Sequence, residues 1–112
     1  MAETADTLAA RLALGLRLLR EGKAAEAAAE LEVVCRDPDL AGAPDLRDVR
    51  ARAMSLYAQA LWKSGHSAEA LPYLEAGLRL ARALGDVEGT QEIEALRQQI
   101  RDAAGLRPQE RP

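Results

Sequence analysis

Between Leu8 and Leu19 apolar residues return every three or four positions, as Leu8, Leu12, Leu16 and Leu19 on one row and Leu14 and Leu18, with Gly15, on another. Spacing of that kind keeps each row on one side of an α-helix. A first helix is predicted from Thr4 or Asp6 as N-cap to Glu21, with Gly22 supplying a left-handed stop. A second runs from about Lys23 to Arg36 and ends before Pro38, because a residue preceding proline is pushed away from helical angles. The segment DPDLAGAP, from Asp37 to Pro44, has turn chemistry throughout and reads as a loop. A third helix opens on Asp45 and Asp48 as a capping pair, continues through Trp62 to Ser64, and closes at Gly65. Ser67 is expected to cap a fourth, which carries apolar or small residues at 70, 71, 74, 77, 78, 81 and 84 and stops at Gly85. The fifth begins between Asp86 and Thr90 and reaches about Ala104, with Ile93, Leu96 and Ile100 as a single stripe on a polar helix. Residues 105–112 have too little apolar content to pack, so a disordered tail is expected there.

One arrangement recurs within this pattern. Leu18, Gly22, Ala27, Leu31 and Val34 are matched in register by Leu61, Gly65, Ala70, Leu74 and Gly77. Each set describes a helical hairpin: a large residue before a turn glycine, then a small residue that permits close approach. A lone hairpin cannot bury its apolar face, so copies stack and leave a concave side. The expected fold is all-α, a single domain over residues 1–104. It comprises hairpins at about 5–36 and 45–84 and a capping helix at about 87–104.

Composition narrows the class further. Apolar residues make up 48% of the chain but aromatics only 3%, with no Phe, which favours closely approaching helices over a sandwich or barrel. A net charge of -3 argues against a phosphate-binding surface, so no nucleic-acid partner is expected. Cys35 is the one cysteine and cannot form an internal disulfide. Met1–Asp6 is polar and acidic where a secretory signal is basic and then apolar, and no stretch approaches the roughly 18 apolar residues that span a bilayer. A cytoplasmic protein without membrane contact is therefore expected.

Little in the chain carries catalytic chemistry. His66, the only histidine, sits in the turn after Gly65 with no second His or Cys at ligand spacing, and reads as a solvated turn residue. Cys35 reads as inert packing near the end of its helix. No nucleophile elbow, phosphate-binding glycine loop or metal spacing is present, so neither an enzyme nor a cofactor is expected. Arg47, Arg50 and Arg52 spread around the third helix among Asp45 and Asp48, as a partly ion-paired surface would.

The stretches GLRLLREGKAAEAAAELEVVCRDP and AQALWKSGHSAEALPYLEAGLRLA resemble the tetratricopeptide repeat family. In its pattern Gly15 or Ala58 sits where the first helix of a hairpin meets its partner, Leu18 or Leu61 fills the hairpin, Gly22 or Gly65 makes the turn, and Ala27 or Ala70 permits close approach. The family's early tryptophan is replaced by Arg11 and Met54, and the turn glycines lie 43 residues apart rather than about 34. The extra length falls in DPDLAGAP and the third helix, as in longer variants of the family.

The resemblance implies that the row Leu8, Leu12, Leu16 and Leu19 lies on the concave face, continued by Arg52, Ser55, Gln59 and Trp62. Members of the family that clamp a chaperone's C-terminal carboxylate use Lys and Asn along this row, and leucines stand here instead. A contiguous apolar patch of that size marks a partner, so a non-catalytic adaptor for another protein or peptide is expected. Leu12, Leu16, Leu19 and Trp62 would be its anchors, and Arg52 and Gln59 would orient polar groups. Three other readings stay open: a homodimer closed through the same surface, a leucine row covered within the chain through Leu106, and an unrelated five-helix bundle.

Overall fold

The computed structural model describes residues 5–36 and 47–103, with side-chain surroundings from Thr7 onward. Five helices account for most of them: α1 (Ala5–Arg20), α2 (Ala24–Cys35), α3 (Arg47–Lys63), α4 (Ser67–Ala83) and α5 (Val87–Ala103). No strand occurs among the described residues. The expected cap at Thr4, the DPDLAGAP loop, the Asp45 half of the capping pair and the tail at 105–112 lie outside the described residues. The Asp6 alternative for the first cap and the Ser67 cap are corrected. Asp6 lies inside the first turn of α1, and Ser67 is the first residue of α4 while His66 holds the cap position without a side-chain cap bond.

Three chain reversals share one geometry. Gly22, Gly65 and Gly85 take φ values of +78°, +93° and +70°, a region that costs any residue with a Cβ. At the first, the Lys23 N–H donates to the Leu18 carbonyl at 2.8 Å and the Gly22 N–H to Leu19 at 3.1 Å. At the second, His66 donates to Leu61 at 2.7 Å and Gly65 to Trp62 at 3.1 Å; at the third, Asp86 donates to Ala81 at 3.0 Å and Gly85 to Arg82 at 3.1 Å. Each is a Schellman stop, which satisfies helix-end carbonyls that would otherwise be orphaned. The carbonyls of Lys23, His66 and Asp86 then accept from Ala27, Ala70 and Thr90, so one residue ends a helix and opens the next. The third copy is degenerate: buried Ala81 stands where Leu18 and Leu61 stand in the others. Only there does a side chain cap, with the Gly89 N–H donating to the Asp86 carboxylate at 2.9 Å.

Each helix packs chiefly on the next in sequence, and α1 also touches α3 as α3 touches α5. The turn glycines make α1/α2, α3/α4 and α4/α5 antiparallel. Across α2/α3 the Tyr57 hydroxyl donates to Glu32 at 3.0 Å, while Cys35, further along α2, lies within electrostatic reach of Arg50, further back in α3. That pair is therefore antiparallel too, and α1, α3 and α5 point the same way.

The core is built from aliphatic and alanine side chains, with Ala27, Leu31, Val34, Ala53, Ala58, Ala60, Ala70 and Leu74 fully excluded from solvent. Tyr57 and Tyr73 pack edge to face with ring centroids 4.7 Å apart. Gly15 marks a close approach of α1 to α2: a Cβ there would lie 2.6 Å from Leu31 Cγ and Cδ2. Surface ion pairs join neighbours, with Arg11 on Glu30 at 2.7 Å, Arg97 on Glu75 at 3.1 Å and Arg82 on Glu94 at 3.0 Å. Such pairs contribute about 0 to 1 kcal/mol each, so the apolar contacts hold the fold.

Candidate functional site

Parallel alignment of α1, α3 and α5, backed by the end of α4, leaves an open groove of about 1260 Å³. Of the eight residues expected along the concave face, Leu12, Leu16, Arg52, Ser55, Gln59 and Trp62 line it. Leu8 and Leu19 do not, being 1% and 7% exposed within the chain's own core. The expectation of four freely presented leucines is thus corrected: Leu16 is half-buried in the groove and Leu12, 9% exposed, forms its floor. The reason is that α1 is covered on two sides, by α2 and by α3, so a row lying between those contacts is mostly consumed by packing.

The α3 contribution follows the helical period. Arg52, Ser55, Gln59 and Trp62 recur at intervals of three and four and share the groove side, with Arg52 exposed and the other three half-buried. Trp62, the only tryptophan, presents a large apolar face with an N–H donor at its edge. Val49 and Leu56 extend that apolar surface.

Sequence reasoning missed the third wall. Helix α5 buries Ile93 and Ile100, yet Leu96 is half-buried and lines the groove together with Glu92 and Gln99. The signal was present in the stripe Ile93, Leu96 and Ile100, since one apolar helix face can serve core and groove together. Also missed were Arg20 and Lys63, the last residues of α1 and α3, which line the groove and are exposed. Asp48, Asp86 and Glu92 line it as well, and none of these five groups is in an ion pair among the described residues.

The titratable groups with displaced equilibria lie elsewhere, at the α2/α3 contact. Burial pushes the Cys35 thiol up to about 12, against a smaller opposing pull from Arg50. Burial also raises Tyr57, and its hydrogen bond to Glu32 adds to the effect. A thiol held protonated is a poor nucleophile, which suits packing and not chemistry. In the unfolded chain the thiol titrates near its ordinary 9.0, whereas the folded chain holds the proton to about 12. Stability from this group is therefore complete below the lower value and lost as pH rises toward the upper one. The melting temperature is expected to fall between pH 8 and pH 10, less steeply in Cys35→Ala, as checked by circular dichroism melts at matched ionic strength.

His66 lies in the exposed α3/α4 turn, 3.6 Å from the Glu69 carboxylate. Among the described residues no three His, Cys, Asp or Glu side chains are grouped to hold a metal ion. No helix is long and apolar enough to cross a membrane among the same residues. Arg47 and Arg52 are exposed and Arg50 half-buried, spread around α3. No family model, no curated protein and no solved structure matches this chain.

Proposed function

We propose that this chain is a non-catalytic adaptor of the tetratricopeptide type, working in the cytoplasm, that holds a peptide or amphipathic helix of another protein in the groove along α1, α3 and α5. The observation that carries this reading is the groove's lining: Leu16, Trp62 and Leu96 stand half-buried beside Arg20, Lys63, Asp48, Asp86 and Glu92, none of which is in an ion pair among the described residues. Aromatic and aliphatic anchors within a polar rim are how binding surfaces gain affinity and orientation. Three Schellman turns with the same backbone bonds, packing between sequential helices and the Gly15–Leu31 approach support the hairpin-repeat part of the proposal.

The test compares wild-type protein with a Leu16→Ala, Trp62→Ala double variant in co-purification, followed by direct titration of the recovered partner. A partner held by wild type and lost from a variant with an unchanged helical signal is the expected result. Equal retention by both rejects the groove as the binding surface. A homodimer through the same surface is the second reading, favoured by Leu84 on the groove's edge and Val87 beside it, which are 41% and 66% exposed. Concentration-dependent light scattering that is abolished in the double variant would establish the dimer instead.

A further inference from the structure

The groove is electrically polar along its length. Because α1, α3 and α5 point the same way, their C-terminal ends gather at one end of the groove and their N-terminal ends at the other. Arg20 and Lys63, the last residues of α1 and α3, make the first end basic. Asp48 in the first turn of α3, Asp86 capping α5 and Glu92 early in α5 make the other acidic. Arg52, one turn beyond Asp48, offsets one of those three carboxylates and leaves the sign unchanged. Between the ends lie the apolar side chains of Leu12, Leu16, Trp62 and Leu96. The ion pairs Arg11–Glu30, Arg82–Glu94 and Arg97–Glu75 involve none of the groove's charges, so its field is not cancelled by them.

We infer that the occupant is an amphipathic α-helix of a partner protein with acidic residues in its first turn and basic residues in its last, lying antiparallel to α1 and α3. This rests on the groove reading above and adds direction and charge order to it. A helix carries partial positive charge at its N-terminus and negative at its C-terminus, and acidic first turns and basic last turns stabilise it. Laid antiparallel, such a helix sets its acidic turn against Arg20 and Lys63 and its basic turn against Asp48, Asp86 and Glu92. Its dipole then also opposes those of α1, α3 and α5. In the parallel direction every one of these contacts joins like charges, so direction is selected by repulsion as well as by attraction.

Two synthetic peptides test this, identical in composition and leucine stripe and free of tryptophan. One has Glu in the first turn and Lys in the last, the other has them exchanged, and the same side-chain cross-link matches their helix content. Trp62 is the sole tryptophan and lies in the groove, so its emission reads occupancy directly. The acid-first peptide is expected to bind about tenfold tighter at low ionic strength, with the preference mostly gone in roughly 0.5 M salt. Arg20→Glu with Lys63→Glu is expected to remove the preference and strengthen binding of the exchanged peptide. Equal affinities, or preference for the exchanged peptide, overturn the inference while the groove reading stands. Unchanged Trp62 emission with both peptides overturns the two together. Emission that shifts with protein concentration alone assigns the groove to a second copy and also overturns the inference.

Discussion

Gly15→Leu is expected to lower the fold's stability by about 1 to 2 kcal/mol, read as a fall in the urea midpoint of the helical signal. A Cβ at this position already lies 2.6 Å from Leu31 Cγ, and Leu31 is fully buried, so it has no free space to swing into. Leucine gains about 0.8 kcal/mol of helix propensity over glycine, but overpacking a filled contact costs about 1 to 3 kcal/mol and sometimes more. Against a total stability on the order of 5 to 15 kcal/mol the net loss is a measurable fraction. Leu31→Ala costs about 2 to 5 kcal/mol by itself through the cavity it leaves. Combined, the two substitutions should cost clearly less than their sum, because the new side chain fills that cavity. Simple additivity would show that α1 and α2 do not meet at Gly15. Gly22→Ala is the contrasting control: no atom lies within 4 Å of its added Cβ, yet φ is +78°, so about 1 to 2 kcal/mol is lost through the backbone alone.

Leu8→Glu and Leu16→Glu should separate core from groove within one helix, although both residues belong to one sequence row. Leu8 is 1% exposed, and an ionised carboxylate placed there without a partner costs several kcal/mol, enough to unfold much of the population. Leu16 is half-buried beside the groove, so a glutamate can reach water and the loss should stay near 1 kcal/mol. Circular dichroism melts of the two variants, with Trp62 emission as a local reporter, check the contrast. Similar melting temperatures would mean that the burial difference along α1 is not real. Retained partner binding by a well-folded Leu16→Glu would argue against the groove as the site.

The helices and their reversals were legible in the chain because their causes are local. Gly22, Gly65 and Gly85 are needed by a left-handed φ within a single residue, and the 3.6-residue period of the leucines is a property of one helix. Gly15 was picked out through the repeat pattern the chain resembles, and the structure sets the Leu31 side chain of α2 against it. The cap at Ser67 was misplaced by one residue, and Asp6, one of two candidates for the first cap, lies within its helix, because both side chains are compatible with a first helical turn as well as a cap.

The site was legible only in part. Arg52, Ser55, Gln59 and Trp62 emerged together because one period of α3 places them on one side. The fates of Leu8, Leu12, Leu16 and Leu19 did not, because a helical wheel gives the direction of a side chain but not what stands opposite it. Whether α1 is covered on one side or two depends on where α3 docks across it, a contact between segments far apart in sequence. Leu96 turned out to line the groove for the same reason. The charge order of the groove is likewise tertiary: Arg20, Lys63, Asp48 and Asp86 are ordinary helix-end residues one by one. They become two opposed ends only because antiparallel neighbours set α1, α3 and α5 pointing the same way. Local torsional and periodic demands thus belong to the sequence itself, while exposure and the sum of charges depend on distances between helices, which arise only when the chain has packed.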